Sequence, residues 1–239
     1  KSEITIEKPG RAAAAQQNHS LCAAALFLVR RNYRMLYDKD IREPLFDFLE
    51  ERFGKIRIIE EKRMGRSRAD ILMVLEGAVM GLEIKSDADT YVRLSRQVRD
   101  YDRYCDGNYV VAGSSHGLHI GEHVPEWWGI ITVEAAAEGP DFYVLREAGR
   151  NPNLDLKRKL GLLWRPELVH IQELNKLPGY KEKSKKFVVE KILEKVPADL
   201  LAVQISEELF ERDYTAIEET IRAYREGKGK KVRKKRVKT

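Results

Sequence analysis

The amino-acid sequence predicts an α/β protein in which helices cover both faces of a mixed β-sheet, with a small helical region at the C-terminal end. Two observations predict this fold. Short apolar segments alternate with helical patterns as far as residue 145, and only helical patterns follow the turn residues at 149–153. The length of 239 residues suits one globular domain with additions.

Each element follows from a local pattern. Apolar residues at helical spacing after Asp40 predict a helix that ends at Gly54, and another helix is predicted over 91–105. Further helices are expected over 21–29, near His119, and over 156–164, 167–174, 186–193 and 205–224. Segments rich in β-branched and aromatic residues predict strands, and these are 56–60, 69–75, 78–84, 109–112, 130–133 and 142–145.

These elements divide the chain into four parts. Residues 1–33 form an N-terminal helical extension, 34–150 the core, 151–226 the helical C-terminal region, and 227–239 a basic tail. The tail from Lys228 onward has eight Lys or Arg and no acid, and without these eight the net charge of +6 becomes −2. Such a tail is expected to be disordered. It either contacts nucleic acid or is merely solvated, and the sequence leaves both open.

Composition excludes several classes of protein. The longest apolar run, 21–29, is too short to span a membrane, and the first residues do not read as a secretory signal. The two cysteines, Cys22 and Cys105, form no C-x-x-C pair, which favours a reduced, cytoplasmic setting. We therefore expect a cytoplasmic protein with no membrane partner.

The most informative stretch is a predicted hairpin around Glu76-Gly77. A two-residue turn there pairs Leu75 with Ala78 and places Asp70 opposite Glu83, with Cβ atoms roughly 5 Å apart. Lys85, two residues after Glu83, then points to the same face. Facing carboxylates repel, and Mg²⁺ (or Mn²⁺) relieves the repulsion, since it binds one or two carboxylates together with waters and phosphate oxygens. The alternative is a solvated charge cluster, but the apolar strands favour a buried hairpin.

The helix that follows adds polar groups at the edge of this site. Leu94, Val98 and Tyr101 share its buried face, and Gln97 lies on the flank of that face, one turn before Tyr101. Arginines on another side, including Arg96, either contact a nucleic-acid backbone or form a solvated face. Both readings of these arginines stay open.

These motifs resemble the PD-(D/E)XK nuclease superfamily in its RecB-like form. The matching residues are Arg68-Ala-Asp70, Glu83-Ile-Lys85 and Gln97-x-x-x-Tyr101, although no proline precedes Asp70. Four further segments resemble a bacterial branch of that superfamily, and the resemblance covers roughly 40–165. They are Glu83-Ile-Lys-Ser-Asp87, Asp89-Thr90, Val124-Pro-Glu-Trp-Trp-Gly129 and Leu162-Leu-Trp-Arg165.

The resemblance implies a restriction-endonuclease-like fold and a magnesium-dependent endonuclease that cleaves DNA. It implies that Asp70, Glu83 and the carbonyl of Ile84 bind the metal, that Lys85 assists the attacking water, and that Gln97 and Tyr101 position the substrate. It also implies a glutamate from the first core helix, for which Glu43 is the candidate. The alternatives are Glu50, Glu60 or no such residue. We assign substrate binding to three arginines, Arg68, Arg93 and Arg96.

Other patterns favour structural roles. His116, His119 and His123 are spaced as zinc ligands would be, but glycines weaken a helix there, so rim residues of the cleft are favoured. Trp127-Trp128 is expected in the core rather than stacked on a base. The alternatives to a DNA nuclease are a DNA-binding or scaffold module that does not cleave, and an RNA nuclease. A protein partner or homodimer stays open.

Overall fold

The computed structural model describes residues 35–117, 119–212 and 222. Six strands form one mixed sheet in the order β1-β2-β3-β4-β5-β6. The first three strands form an antiparallel meander, β4 and β5 run parallel to β3, and β6 returns antiparallel. The strands are β1 (Arg57–Met64), β2 (Ser67–Leu75), β3 (Ala78–Lys85), β4 (Gly107–Gly113), β5 (Gly129–Ala136) and β6 (Gly139–Arg146). The predicted α/β class and mixed sheet are confirmed.

The β2–β3 hairpin has the predicted register. Leu75 pairs with Ala78 and Ile71 with Leu82, and the turn residue Gly77 has a φ of 76°. Glycine adopts this left-handed conformation without steric cost, as the two-residue turn requires. The next pair outward in this register is Asp70 with Glu83.

Seven α-helices accompany the sheet in the described part of the chain. They are α1 (Asp38–Phe53), α2 (Leu94–Tyr101), the single turn α3 (Ser114–Gly117), α4 (Leu156–Leu160), α5 (Arg165–Leu174), α6 (Lys185–Lys195) and α7 (Ala198–Phe210). Helix α1 buries Ile41, Leu45 and Leu49 against one face of the sheet. Helix α2 and the C-terminal helices share a second core on the opposite face.

Two predicted helix boundaries were wrong. The helix expected over 91–105 begins as a 3₁₀ turn and ends at Tyr101, because Asp102 turns inward and accepts hydrogen bonds from Asn108 and the indole of Trp128. The helix expected over 205–224 begins at Ala198, directly after Pro197, and ends at Phe210. Proline is favoured at helix starts, and this signal was missed.

The C-terminal region is tied to the sheet by a buried ion pair. The Arg212 guanidinium lies 2.6 and 2.9 Å from the two carboxylate oxygens of Glu167, and neither side chain is more than 6% exposed. From the edge strand β1, Arg57 donates to the backbone carbonyls of Phe210 and Arg212. These contacts hold the end of α7 and the start of α5 against the sheet.

Lys62 on β1 lies beside this ion pair. Burial and the nearby Arg212 guanidinium lower the pKa of Lys62 to about 8. The folded protein therefore binds fewer protons than the unfolded chain between pH 8 and 10.5, and its free energy of unfolding rises with pH in that window. Since Lys62 is partly exposed, we expect a rise on the order of 1 kcal/mol.

Urea unfolding as a function of pH measures this rise in the free energy of unfolding. In the Lys62→Met variant the rise should be absent, and an unchanged rise would contradict this assignment.

Several predictions lie outside the described residues. The helix expected over 21–29, the N-terminal extension and the basic tail are among them. Among the helices of the described residues, none is both long and apolar enough to cross a membrane.

Candidate active site

Asp70 and Glu83 lie opposite each other on the neighbouring strands β2 and β3, one pair beyond Ile71 and Leu82. Both point to the face covered by α2, as the register predicts. The backbone N–H of Ile84 donates to Asp70 Oδ2 over 2.9 Å, and the phenol of Tyr101 donates to Glu83 Oε2 over 2.8 Å. The hairpin and α2 together therefore fix the orientation of both carboxylates.

Lys85 neutralises Glu83. Its Nζ lies 2.6 Å from Glu83 Oε1, and the two side chains are 4% and 1% exposed. Alternation along β3 places the two on one face, so the ion pair follows directly from their spacing. A buried ion pair stabilises little by itself because desolvation offsets the attraction. A role in the function of the site therefore explains the Lys85–Glu83 ion pair better than a contribution to stability does.

Gln97 and Tyr101 complete the contacts around Glu83. The Gln97 amide nitrogen donates to Glu83 Oε1, and its oxygen accepts from Lys85 Nζ over 3.2 Å. The fully buried Tyr101 hydroxyl also accepts from the backbone N–H of Asp70 over 3.0 Å. Burial and the nearby carboxylates raise the pKa of Tyr101 well above its ordinary value, so it stays a neutral donor. The structure thus brings together Asp70, Glu83, Lys85, Gln97 and Tyr101, as the sequence predicts.

The pKa of Asp70 shows the cost of the paired carboxylates. Burial, followed by the charge of Glu83, raises it to about 7. The Ile84 N–H and the charges of Lys85 and Arg42 act in the opposite direction without cancelling the shift. A second positive charge between the carboxylates would remove the repulsion and favour ionised Asp70.

The donor set fits a divalent cation of the Mg²⁺ type. Ile84 lines the cleft with its backbone, because its side chain is buried in the core on the opposite face of the sheet. Two carboxylates and a backbone carbonyl are hard oxygen ligands, and Mg²⁺ in proteins keeps several waters. Among the described residues, no three His, Cys, Asp or Glu side chains form a cluster that could hold a metal ion.

A cleft of about 410 Å³, lined by six cationic and five acidic side chains, opens over these residues. The three arginines assigned to substrate binding, Arg68, Arg93 and Arg96, all line it, and Arg42 and Arg66 join them. Within the described part of the chain, Arg66, Arg93 and Arg96 make no ion pair, whereas Arg68 pairs with Glu61 over 3.2 Å. The cleft therefore presents cations that are free to meet an anion.

The first core helix contributes to the cleft differently from the prediction. Glu43 is exposed and does not line it, and neither do Glu50 and Glu60. Asp38 and Arg42 do, paired over 3.0 Å, and Arg42 also donates to the carbonyl of Asp70. The structure therefore does not bring Glu43 to the carboxylate pair, and its assignment as a metal ligand stays a prediction. The spacing of Asp38 and Arg42, four apart on the helix, was the signal that could have found this pair.

The remaining patterns are structural. His116 Nδ1 lies 2.8 Å from the Tyr91 hydroxyl, His123 packs on the Tyr91 ring, and His119 is exposed, so the three imidazoles do not converge on a zinc ion. Trp128 is fully buried, which confirms its place in the core, and Trp127 is partly buried against the same cluster. Both indoles donate to Asp102, with Trp128 at 2.8 Å.

The fold and the cleft define an α/β protein with two neighbouring carboxylates, one buried and one half-buried, together with a lysine and a surrounding set of arginines. Residues 32–236 match the protein family of bacteriophage P4 protein cII. Because this match spans most of the chain, the chain belongs to that family. None of the curated proteins matches the chain.

Among solved structures, the chain is similar to SfsA of Pyrococcus furiosus in complex with Ca²⁺. The likeness has a TM-score of 0.33 and 16% sequence identity, and it covers 50% of this chain and 68% of the SfsA chain. A TM-score this low carries no argument about fold or function.

Proposed function

We propose that this protein is a Mg²⁺-dependent nuclease of the PD-(D/E)XK type that hydrolyses phosphodiester bonds of DNA. The observation that carries the proposal is the convergence of Asp70, Glu83 and Lys85 on one face of the β2–β3 hairpin, at the floor of a cleft lined by arginines. Mn²⁺ is expected to substitute for Mg²⁺, since both prefer oxygen ligands.

The metal would be held by Asp70, Glu83 and the Ile84 carbonyl. When bound, it supplies positive charge to the scissile phosphate and lowers the pKa of water. Each protein group has a complementary task. The ammonium of Lys85 donates hydrogen bonds to the attacking water or to a phosphate oxygen and counters the charge that develops in the transition state. Gln97 and Tyr101 hold Glu83 in place through the hydrogen bonds already described.

The arginines of the cleft serve the substrate. Guanidinium groups bind phosphate oxygens through two parallel hydrogen bonds. Arg66, Arg93 and Arg96 have exposed side chains without ion-pair partners in the described residues, so binding a phosphate displaces no existing salt bridge. This supports an extended polyanion rather than a small neutral substrate.

Cleavage assays test the proposal. The purified full chain is mixed with supercoiled plasmid, single-stranded DNA or RNA of the same sequence, in Mg²⁺, Mn²⁺ or EDTA. We expect cleavage of DNA that needs the metal and is lost in the Asp70→Asn variant. Asp47→Asn, the same substitution at an exposed position of α1 outside the cleft, controls for a general effect of losing a carboxylate.

Three outcomes would contradict the proposal. Equal cleavage by the wild type and the Asp70→Asn variant would place the activity elsewhere or in a contaminant. Cleavage of RNA alone would make the protein an RNA nuclease. Salt-sensitive DNA binding without cleavage in either metal would make it a binding or scaffold module.

A further inference from the structure

A second depression of about 370 Å³ lies directly beside the cleft. It shares Arg66 and Arg96 with the cleft, so the two are continuous. Arg99, Arg103 and Arg158 complete its cationic lining. We call these five side chains the arginine band. The band leads away from Asp70 and Glu83, along α2, to the C-terminal region, which supplies Arg158 from α4.

The band carries much more positive than negative charge. Within the described residues, Arg66, Arg96, Arg99 and Arg103 form no ion pairs, and Arg158 pairs only with Asp155, over 3.3 Å. The one carboxylate lining the depression, Asp100, is already engaged: it accepts from the Ser67 hydroxyl over 2.7 Å and from the Arg66 N–H over 3.2 Å. Five neighbouring guanidinium groups repel one another, and an anion that binds them relieves this repulsion.

The band is built on a rigid support. The β1–β2 turn rests on α2 through Asp100, and Gly65 in that turn has a φ of 60° with Asp100 Oδ1 2.6 Å from the position that a Cβ would take. Arg96 and Arg99 lie one turn apart on the same side of α2, and Arg103 follows in the hydrogen-bonded turns directly after the last residue of that helix, Tyr101.

We infer that the arginine band binds the phosphodiester backbone of the nucleic-acid strand that continues from the cleft. The inference rests on the proposed function for the direction of the strand, but the binding itself does not depend on cleavage. Protein partners need apolar and aromatic side chains at the centre of an interface. Here the lining is arginine, Asp100 and Gly65, which favours a chain of phosphates instead.

The test is fluorescence anisotropy of the full chain with labelled single-stranded DNA, and with RNA of the same sequence, over a range of salt concentrations in EDTA. The variant is Arg99→Ala/Arg103→Ala, because neither residue lines the catalytic cleft. The matched control is Arg52→Ala/Lys55→Ala at the far end of α1, which removes the same charge. For the band variant, relative to the control, we expect affinity to fall on the order of tenfold. The slope of log K against log salt should become less negative by about 1.4, from about 0.7 per contact for single strands.

The outcomes separate this inference from the proposed function. If the affinity and the salt slope of the band variant equal those of the control, the inferred role of the arginine band is wrong, even if the wild type cleaves DNA in Mg²⁺. If the salt slope is reduced in the band variant but the wild type cleaves no DNA, the band binds nucleic acid as inferred and the proposed nuclease activity is wrong. A reduced slope for both DNA and RNA would show that the band recognises the backbone alone.

Discussion

Replacement of Lys85 by methionine is expected to lower the rate of DNA cleavage by about 10²–10³-fold or more, the usual effect of removing one charged group that stabilises a transition state. Methionine keeps an unbranched side chain only one heavy atom shorter but removes the ammonium that lies 2.6 Å from Glu83. DNA affinity at low salt should change little, since the arginines of the cleft remain. Single-turnover cleavage with the enzyme in excess measures the chemical step apart from binding.

The control is the same substitution at another strand lysine. Lys62→Met on β1 lies outside the cleft and should leave the cleavage rate unchanged. Thermal unfolding of both variants establishes that they are folded at the assay temperature. If the Lys85→Met variant is folded and its rate stays within threefold of the Lys62→Met rate, the assigned role of Lys85 is wrong.

Replacement of Glu167 by alanine is expected to lower the free energy of unfolding by about 3–5 kcal/mol, the usual cost of leaving one member of a buried ion pair without its partner. The change removes both carboxylate oxygens from the fully buried Arg212 guanidinium. It also removes an acceptor for the Trp164 N–H at the start of α5. Urea unfolding measures the difference in the free energy of unfolding, provided that its dependence on urea concentration is the same for the wild type and the variant.

Glu173→Ala is the matched control, because Glu173 lies on the same helix but is exposed. We expect it to change the free energy of unfolding by no more than about 0.5 kcal/mol. A Glu167→Ala value within about 1 kcal/mol of this control would show that the ion pair does not anchor the C-terminal region. The Glu167→Gln variant, which keeps an acceptor oxygen, should fall between the two.

Much of the fold followed from local sequence. The two-residue turn at Glu76-Gly77 fixes the register of β2 and β3, and the register in turn places Asp70 opposite Glu83 without any knowledge of the rest of the chain. Period-two alternation then adds Lys85. The helical period adds Gln97 and Tyr101, since both belong to one short helix packed on that hairpin.

The parts that were not predicted depend on contacts between distant segments. The inward turn of Asp102 is stabilised by the indole of Trp128, 26 residues later, and this ends α2 early. Which residue of α1 reaches the cleft depends on how that helix is rotated on the sheet. The family resemblance made Glu43 the candidate, but the packing of the helix through Ile41 and Leu45 directs Asp38 and Arg42 to the cleft.

The grouping of the arginines also depends on contacts between distant segments. The sequence left open whether those of α2 contact a backbone or form a solvated face. The sheet brings Arg66 from the β1–β2 turn, and the C-terminal region brings Arg158, to the same surface as Arg99 and Arg103. Only this assembly makes them a continuous band, because no local pattern connects the three segments.

The central claim is that Asp70 and Glu83 together hold one divalent cation. Titration of Mn²⁺ into the chain of residues 1–239 at pH 8, followed by electron paramagnetic resonance, measures this most directly, because it counts free Mn²⁺ against bound Mn²⁺. At pH 8 Asp70 is mostly ionised, since its pKa is about 7. The claim predicts one tight site in the wild type that is lost in both the Asp70→Asn and the Glu83→Gln variants and kept in Asp47→Asn. Equal Mn²⁺ binding by the wild type and the two site variants would contradict it.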